Sequence, residues 1–385
     1  MVSNSNAITD LEPLVDPNDF VGLDGICNLA AAGETPMLSS QKSLFEQFMH
    51  DKSRGMGGRE RIYSKVASAA DSLAALLSCS PGEIGFPLNV AQAMNSVARS
   101  VSNTSGNVVA CQWEFPSALY PWITGSDLEV KTITNTDYLM DAEQFADAVT
   151  PETVAIVVSL VSYFTGERID LETFREIADS CGAMLVVDMS HALGVGAFDV
   201  TLADFAFSCG YKWILGTHGA GIAYCNSNRQ EGWTAHESGW TSAEWRDATV
   251  RGKDVVPLLN GRRFELGNPS ALSVQILGNG VDYIRGCGLD AISQHVLALT
   301  GALWEGLTER GLRVLTPESS TKRLGIVSFA VEDEKFWRDG LESRGVFGWV
   351  GDQRVRLSPH LYNGTSDVQR TLEAVDAINK MIRRS

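Results

Sequence analysis

The sequence predicts an α/β fold, with a large domain built on a mostly parallel sheet and a smaller α+β domain after it. Three observations lead to this prediction. From about residue 60 the chain alternates helical and strand-like stretches, as chains with a parallel sheet do. The longest apolar run, residues 154–164, suits a strand that is buried on both faces. After about residue 268 the pattern changes to a long helical region followed by short strands.

The elements of the large domain follow from the spacing of their apolar residues. An apolar residue at every third or fourth position predicts a helix, whereas a short continuous apolar run predicts a buried strand. On this basis we predict helices at residues 64–78, 142–149 and 171–181. We predict strands at residues 107–111, 130–133, 154–162, 183–188, 204–208 and 220–225.

The elements of the smaller domain are predicted in the same way. Helical spacing covers residues 271–310, 334–344 and 366–384, and strand-like runs cover residues 313–315, 325–331 and 354–357. We therefore divide the chain into an N-terminal arm, a large domain and a small domain, at residues 1–59, 60–267 and 268–385. We expect the arm to pack against the small domain and the functional site.

Composition and charge exclude several classes of partner. The net charge of −16 and the pI of about 4.8 argue against nucleic acid or an anionic membrane as the main partner. The seven cysteines are widely spread and include no Cys-x-x-Cys pair, which is typical of reduced thiols in a cytosolic protein. The first residues show no signal peptide, and residues 154–164 fall short of the about 20 that span a bilayer. We expect a cytoplasmic protein that binds neither membranes nor nucleic acid.

Two charged residues stand at the ends of two buried strands. Asp188 ends the run 183–188, and Lys212 follows the run 204–208, 24 positions further along the chain. A pyridoxal phosphate site requires such a pair, because a lysine amine forms the Schiff base and a carboxylate keeps the pyridine nitrogen protonated. The almost uncharged stretch before Lys212 predicts a desolvated amine with the lowered pKa that Schiff-base chemistry needs. The sequence therefore predicts pyridoxal 5'-phosphate as the cofactor.

The segments around these two residues also resemble a known family. Asp188-Met-Ser-His191, followed by Ser208-Cys-Gly-Tyr-Lys212, is similar to fold-type I pyridoxal phosphate enzymes of the class V aminotransferase group. That group includes cysteine desulfurases, kynureninase and isopenicillin N epimerase. Four further segments resemble the group in the same order along nearly the whole chain, at residues 28–33, 113–120, 163–166 and 356–363. The resemblance implies a seven-stranded sheet in the large domain and a homodimer with composite active sites.

The resemblance assigns the residues around the cofactor ring. Lys212 would carry the Schiff base, and Asp188 would pair with the pyridine nitrogen. Phe115 would stack on the ring, and His191 would lie beside the phenolic oxygen. Tyr211 would reach the phosphate and help to move protons. For Phe115 and His191 an ordinary buried position in the core is the alternative, and for Tyr211 it is a tyrosine at a strand end with a hydrogen-bonded hydroxyl.

The phosphate group is expected at the start of a helix, where backbone N–H groups are free to bind an anion. The candidate is the segment Asn89-Val90-Ala91, with Asn89 as the N-cap. Relatives usually carry a threonine or serine where Val90 and Ala91 stand, so one hydroxyl contact is missing here. Asn89 or Gln92 is expected to compensate. Cys209 occupies a position that is often serine in desulfurases.

The resemblance also assigns residues that would bind the substrate. Arg356 would bind the substrate carboxylate with its guanidinium fork, and Arg354 is the competitor, since strand alternation places both on one face. Ala32 lies in the N-terminal segment that passes the active site, and Tyr163 lies in the segment 163–166. Two further residues are predicted at the rim. Trp240 would wall the pocket, and Asn268 would enter the site of the neighbouring subunit.

The family implies an α-amino acid substrate that reacts through an external aldimine, but it leaves the reaction open. Residues 345–352 contain no cysteine, which argues against a persulfide-forming desulfurase. Ala118 replaces the aspartate that follows Phe-Pro-Ser in kynureninase, which makes kynurenine itself a poor candidate. We favour a lyase that cleaves at the β-carbon, either a carbon–sulfur lyase or a kynureninase-like enzyme. An amino acid epimerase or an aminotransferase of specialised metabolism is the alternative.

Other classes of function have less support in the sequence. A non-catalytic binding protein on the same fold would not need Asp188, Lys212 and Arg356 together. A nucleotide-dependent oxidoreductase would carry a glycine fingerprint, yet His218-Gly-Ala-Gly221 lacks the third glycine. The sequence contains no Gly-x-Ser-x-Gly of a hydrolase and no His-Glu-x-x-His, and we predict no metal site.

Overall fold

The chain folds around one seven-stranded sheet, with a second, three-stranded sheet built from its C-terminal part. The computed structural model describes residues 11–101, 104–229, 233, 235–250 and 253–383. Residues 1–10 of the predicted arm and the last residue of the helix predicted at 366–384 lie outside these described residues. Within the described part of the chain, no helix is both long enough and apolar enough to cross a membrane.

The described residues contain ten α-helices and twelve strands. The helices are α1 (Lys42–Lys52), α2 (Gly55–Leu77), α3 (Val90–Ser100), α4 (Pro116–Gly125), α5 (Ala142–Ala148), α6 (Leu171–Cys181), α7 (Ala271–Cys287), α8 (Leu289–Glu309), α9 (Glu334–Glu342) and α10 (Thr365–Ile382). The strands are β1 (Cys27–Asn28), β2 (Ile84–Gly85), β3 (Asn107–Cys111), β4 (Glu129–Ile133), β5 (Thr153–Ser159), β6 (Met184–Asp188), β7 (Phe205–Cys209), β8 (Gly221–Cys225), β9 (Val327–Ala330), β10 (Val346–Phe347), β11 (Trp349–Gly351) and β12 (Arg354–Leu357).

The large sheet is mostly parallel and has the strand order β2-β8-β7-β6-β5-β3-β4. Strands β3 to β7 run parallel, whereas β8 and β2 complete one edge in antiparallel orientation. The order of the strands reverses between β3 and β5, and such a switch point opens a crevice at the carboxyl ends of the strands. The residues that follow β3, β5, β6 and β7 therefore meet at one edge of the sheet.

Helices cover both faces of this sheet, so its central strands are apolar on both sides. One buried cluster joins the sheet to α2, α6 and α7, and another joins the opposite face to α3 and α4. Residues Val108, Val157 and Phe207 are fully buried members of β3, β5 and β7. This double coverage explains why these strands appear in the sequence as continuous apolar runs.

The C-terminal part of the chain joins the N-terminal segment. β9, β12 and β11 form the antiparallel three-stranded sheet, and α8, α9 and α10 pack against it. β1 pairs in parallel with β10, and Ala30 bridges to Ser358. The segment that contains Ala30 is thereby held next to β12, the strand that carries Arg354 and Arg356.

The predicted α/β fold with a mostly parallel sheet is confirmed. The predicted boundaries of α6 agree with the structure, and those of the central strands agree to within a few residues. The helix predicted at residues 271–310 is two helices, because Gly288 takes a left-handed φ of 84° between α7 and α8. The strand predicted at 313–315 is reduced to one bridge, from Val314 to Phe329. The division into arm, large domain and small domain stays a prediction.

Helix α2 begins at Gly55, before the predicted start at residue 64. The early glycines hid its first turns from sequence reasoning, since glycine is a poor helix former. Gly58 is needed for packing, because a Cβ atom there would lie 1.7 Å from the carbonyl oxygen of Asp51 at the end of α1. Close contact between α1 and α2 therefore explains a glycine that helix propensity argues against.

Candidate active site

The ends of β6 and β7 place Asp188 and Lys212 in one buried site. The two strands are neighbours, and Asp188 lies opposite Phe207 in their register. Asp188 and Lys212 are only 6% and 9% exposed. The backbone N–H of Ser190 donates to Asp188 Oδ1 at 2.8 Å, and burial raises the pKa of the Asp188 carboxyl above its ordinary value. Burial therefore favours the neutral acid, whereas a cation beside Asp188 would favour the carboxylate.

His191 lies directly beside the lysine amine. Its Nε2 atom is 3.3 Å from Lys212 Nζ, and its ring is buried. Burial, followed by the charges of Lys212 and Arg356, holds the pKa of His191 well below its ordinary value. His191 is therefore neutral near pH 7 and can serve Lys212 as a hydrogen-bond partner without adding charge.

An inner chamber of about 180 Å³ surrounds these groups. It is lined by the nine cofactor-binding residues predicted within one subunit, namely Asn89, Val90, Ala91, Phe115, Asp188, His191, Cys209, Tyr211 and Lys212. Ser117, Ser159, Tyr163 and Ser190 complete the lining. Lys212 Nζ lies 5.6 Å from the centre of the Phe115 ring and 5.9 Å from that of Tyr211. The structure thus brings together residues that are spread over more than 120 positions of the chain.

The start of α3 forms one end of the inner chamber. Asn89 is its N-cap, and its Oδ1 accepts from the backbone N–H of Gln92 at 2.9 Å. The Gln92 side chain accepts in turn from the N–H of Leu88 at 2.8 Å. The backbone N–H groups of Val90 and Ala91 begin the first turn, so the helix supplies no acceptor for them. They and the hydroxyl of Ser117, which lines the same chamber, form a donor set that fits a phosphate group.

An outer chamber of about 1810 Å³ opens beyond Lys212, between the large sheet and the three-stranded sheet. Phe115, Tyr163, His191, Tyr211 and Lys212 line both chambers, so the two spaces meet at the lysine. Much of the wall of the outer chamber is aromatic. Its aromatic residues include Trp113, Phe115, Tyr120, Tyr138, Tyr163, Phe164, Phe336, Trp337 and Trp349. Such a wall suits a bulky or flat substrate group.

Arg356 lines the outer chamber and contacts Tyr163, which lines both chambers. Its Nη1 donates to the carbonyl of Tyr163 at 3.1 Å, and its Nη2 donates to the carbonyl of Ala32 at 3.2 Å. Its Nε is buried without a partner among the described residues. Burial lowers the pKa of Arg356 to about 9, and the charge of Arg354 adds to this effect. The guanidinium remains positive near pH 7 and has capacity left to bind an anion.

The side chain of Arg354, the competing candidate on β12, lies in a different environment from that of Arg356. It is fully buried, with its guanidinium carbon 3.8 Å from the Phe164 ring centre and 4.6 Å from that of Trp349. Its Nη1 contacts the Asp352 carboxylate at 3.0 Å. Among the described residues that line the two chambers, Arg356 is present and Arg354 is not. The structure therefore favours Arg356 over Arg354 as the carboxylate ligand.

Two predicted residues lie outside both chambers of the single chain. Asn268 Oδ1 accepts from Arg59 Nη2 at 3.1 Å and from the hydroxyl of Tyr63. Trp240 is 49% exposed, and its ring meets that of Trp245 edge to face. The structure does not bring either residue to Lys212 of the same subunit. Their predicted contribution would have to reach the site of a second subunit.

Glu114 is a buried acid that sequence reasoning missed. It follows β3 at the switch point of the sheet, and the Ser159 backbone N–H donates to its Oε1 at 2.6 Å. The Ser159 hydroxyl donates to its other oxygen, and Ser159 lies opposite Asp188 in the register of β5 and β6. Burial is the main reason that the pKa of Glu114 is raised to about 7, and Asp188 adds to it. The only sequence signal was a glutamate directly before the predicted stacking residue Phe115.

Replacing Glu114 by glutamine is expected to remove a pH dependence from the stability of the cofactor-free protein. The folded-state pKa of about 7 lies above the ordinary 4.5, so the folded protein holds this proton more tightly than the unfolded chain. The contribution of this proton to the free energy of unfolding is lost as pH rises from about 4.5 through about 7, and it amounts to about 3 kcal/mol. Urea unfolding of both proteins at about pH 5 and about pH 8 measures it. Equal pH slopes for Glu114→Gln and wild type would contradict the expectation.

Comparison with known proteins gives a consistent family relationship. The aminotransferase class-V family model matches residues 37–340. The uncharacterized aminotransferase YcbU of Bacillus subtilis is 24% identical over 91% of this chain and 92% of its own length. The kynureninase of Deinococcus radiodurans is 28% identical over 66% of this chain and 62% of its own length. The apo cysteine desulfurase of Thermococcus onnurineus NA1 has the same fold, with a TM-score of 0.83 and 21% identity over 94% of this chain and 96% of its own.

Proposed function

Because the chain belongs to the aminotransferase class-V family of pyridoxal phosphate enzymes, we propose that it is a lyase acting at the β-carbon of an α-amino acid. When bound, pyridoxal phosphate supplies an electron sink for negative charge at the α-carbon. The inner chamber contains four kinds of group that fit this cofactor: a buried amine, a buried carboxylate, an aromatic ring and free helical N–H groups. The contributions of the protein's own residues follow from that arrangement.

Four groups would hold the cofactor. Lys212 would attach it through the amine, and the Asp188 carboxylate would accept a hydrogen bond from the protonated pyridine nitrogen. A cation beside Asp188 reverses the effect of burial, because an ion pair favours the charged carboxylate. Phe115 would pack against the ring, and the N–H groups of Val90 and Ala91 would bind the phosphate.

Arg356 and Lys212 would act on the substrate. Arg356 binds the α-carboxylate with the guanidinium capacity that its two backbone acceptors leave free. This contact holds the α-carbon near Lys212, whose amine removes the α-proton as general base. The side chain of the substrate then extends from the meeting point of the chambers into the outer chamber.

The outer chamber is the observation that carries the lyase proposal. A group that leaves the β-carbon needs space to depart, and about 1810 Å³ adjoins Lys212 and Arg356. Epimerisation is less favoured, because it releases no group from the β-carbon and so does not need this space.

The cysteines argue against transfer of sulfur to the protein. Residues 345–352, which precede and include β11, contain no cysteine. Cys209 lines the inner chamber, but burial raises the pKa of its thiol. We therefore propose that a sulfur-containing group would leave as a free thiol. The seven cysteines are all free, which supports a reducing cytoplasmic environment.

Product analysis tests the proposal and separates it from its alternatives. The loaded enzyme is incubated with S-substituted cysteines and with β-acyl alanines of increasing size. In β-elimination the carbon–sulfur bond breaks, the thiolate leaves and takes up a proton, and the remaining fragment reacts with water to give pyruvate and ammonium. Cleavage between the β- and γ-carbons consumes water and gives alanine and a carboxylic acid. Absence of both product pairs over the whole panel would contradict the lyase proposal.

Transamination is the second candidate, and the similarity to YcbU over 91% of this chain favours it. An aminotransferase would convert the amino acid into a 2-oxo acid only while a second 2-oxo acid is aminated. A lyase releases ammonium without such an acceptor. Repeating the incubation with and without added 2-oxo acids therefore distinguishes the two activities.

We further propose a homodimer whose sites are composite. Asn268 and Trp240 lie outside the chambers of their own chain, and Trp240, Trp245 and Leu259 leave large apolar side chains exposed. A neighbouring subunit that covers this surface would bring the two predicted residues to its own site. Mixing Lys212→Ala with Asn268→Ala subunits tests this, because only a composite site restores activity in the mixed dimer.

Replacing Arg356 by lysine is expected to weaken substrate binding more than cofactor binding. Lysine keeps the charge, but it cannot bind a carboxylate with two parallel N–H groups. We expect KM for the amino acid to rise by about ten- to a hundredfold, which corresponds to about 1.5–3 kcal/mol. Steady-state kinetics measure KM for Arg356→Lys and for a control variant, Arg338→Lys, whose substitution lies on α9. An unchanged KM would transfer the role to another residue.

A further inference from the structure

The residue after the lysine has a function of its own. We infer that Trp213 is a positioning residue, which fixes the His191 ring with its proton on Nε2 and so directs that N–H at the amine of Lys212. The inference rests on the proposed function only in placing Lys212 and His191 at the reacting centre. It assigns His191 a single role, that of a hydrogen-bond donor.

The chemistry of the indole determines the tautomer. Trp213 Nε1 lies 3.4 Å from His191 Nδ1, and an indole N–H can donate but cannot accept. The Nδ1 atom must therefore accept, so it carries no proton. Since the buried ring is neutral, its one proton is on Nε2. That N–H lies 3.3 Å from Lys212 Nζ.

This arrangement has a chemical consequence for both partners. An N–H on Nε2 can donate a hydrogen bond to an amine only through the lone pair that makes the amine a nucleophile and a base. His191 cannot take up a proton at Nε2, because that nitrogen already holds one, and its Nδ1 faces Trp213. Lys212 therefore remains the base of this pair, and His191 supports it.

Trp213 is itself held firmly, as a positioning residue must be. It is fully buried, and its carbonyl oxygen lies 2.9 Å from His360 Nε2, which donates to it. The indole packs against Gly325, where a Cβ atom would come within 2.4 Å of the ring. Gly194 lies against its carbonyl group, where a Cβ atom would come within 2.8 Å. Contacts from Gly194, Gly325 and His360 thus fix the residue whose indole orients His191.

The tautomer can be measured directly in the cofactor-free protein. Histidine labelled at its ring nitrogens distinguishes a protonated nitrogen from an unprotonated one by NMR, and the signals of His191 are those lost in His191→Asn. We expect a protonated Nε2 and an unprotonated Nδ1 in the wild type. A protonated Nδ1 would overturn the inference. The result does not depend on any activity, so the lyase proposal can fail without affecting it.

Variants at Trp213 test the cause of the tautomer. Trp213→Phe keeps an aromatic ring but removes the donor, so the His191 Nδ1 signal should shift and the two tautomers should mix. Trp122→Phe is the matched control, since Trp122 is also fully buried and its indole nitrogen has no partner in the described part of the chain. It should leave the His191 signals unchanged. Unchanged signals in Trp213→Phe would overturn the inference.

Two further measurements separate positioning from a purely structural role. If Trp213→Phe does not fold, the same hydrogen bond can be measured on its donor, by NMR of protein with labelled tryptophan. The signal of the Trp213 indole proton should shift in His191→Asn. An unshifted signal would overturn the inference. In folded, cofactor-loaded Trp213→Phe we expect kcat to fall by about ten- to a hundredfold with little change in KM. Equal losses in the Trp122→Phe control would assign the effect to packing alone.

Discussion

Replacing Lys212 by alanine is expected to give a folded protein that forms no covalent bond to the cofactor and has lost activity. The lysine amine is the attachment point and the general base, and loss of the base alone costs about two to four orders of magnitude in rate. The fold should survive, because the described contacts of Nζ are one hydrogen bond to His191 and two ring contacts. Borohydride reduction followed by peptide mass spectrometry measures the attachment, and product formation measures kcat.

Lys335→Ala provides the control for Lys212→Ala. Lys335 is exposed on α9, where it contacts Asp339, so its loss should leave cofactor attachment and turnover as they are in the wild type. Thermal unfolding of both variants checks that neither has lost its fold. A cofactor adduct that persists in Lys212→Ala would remove this residue from the role that we assign to it.

The parts of the site that depend on strand ends could be predicted from the sequence. Asp188 and Lys212 follow continuous apolar runs, and such runs mark strands buried on both faces of a parallel sheet. The carboxyl ends of neighbouring parallel strands meet at one edge, so order along the chain nearly determines proximity. The same logic placed Arg354 and Arg356 on one face of a strand, although it could not decide which of them lines the chamber.

The parts that depend on side-chain packing could not be predicted. Pro121 obscured α4, because a proline inside a helix argues against the helix. Glu114 looked like an ordinary loop acid until the structure placed it against Ser159, beside Asp188. The contact of Trp213 with His191 depends on ring orientations that no spacing rule describes. Local patterns thus locate the chemistry, whereas the groups that tune it come from tertiary contacts.

Replacing Asp188 by asparagine is expected to change the stability of the protein and its cofactor binding in opposite directions. In the cofactor-free protein, burial raises the pKa of Asp188, so the folded state resists its ionisation and stability falls as pH rises above the ordinary 3.8. A neutral asparagine avoids this cost and can still accept from the Ser190 N–H. With the cofactor bound, however, it provides no negative charge for the protonated pyridine nitrogen. We expect kcat to fall by at least about a hundredfold.

Unfolding temperatures measured with and without pyridoxal phosphate decide between this explanation and a simple loss of structure. Without the cofactor, Asp188→Asn should unfold at the same temperature as wild type or at a higher one. When the cofactor is added, its unfolding temperature should rise less than that of wild type. Asp204→Asn is the matched control, because Asp204 is a buried acid that precedes β7 and pairs with Arg175 at 2.6 Å. Breaking that ion pair should destabilise both forms by about 3–5 kcal/mol. A lower unfolding temperature for cofactor-free Asp188→Asn would mean that Asp188 stabilises the fold, not the charge on the cofactor.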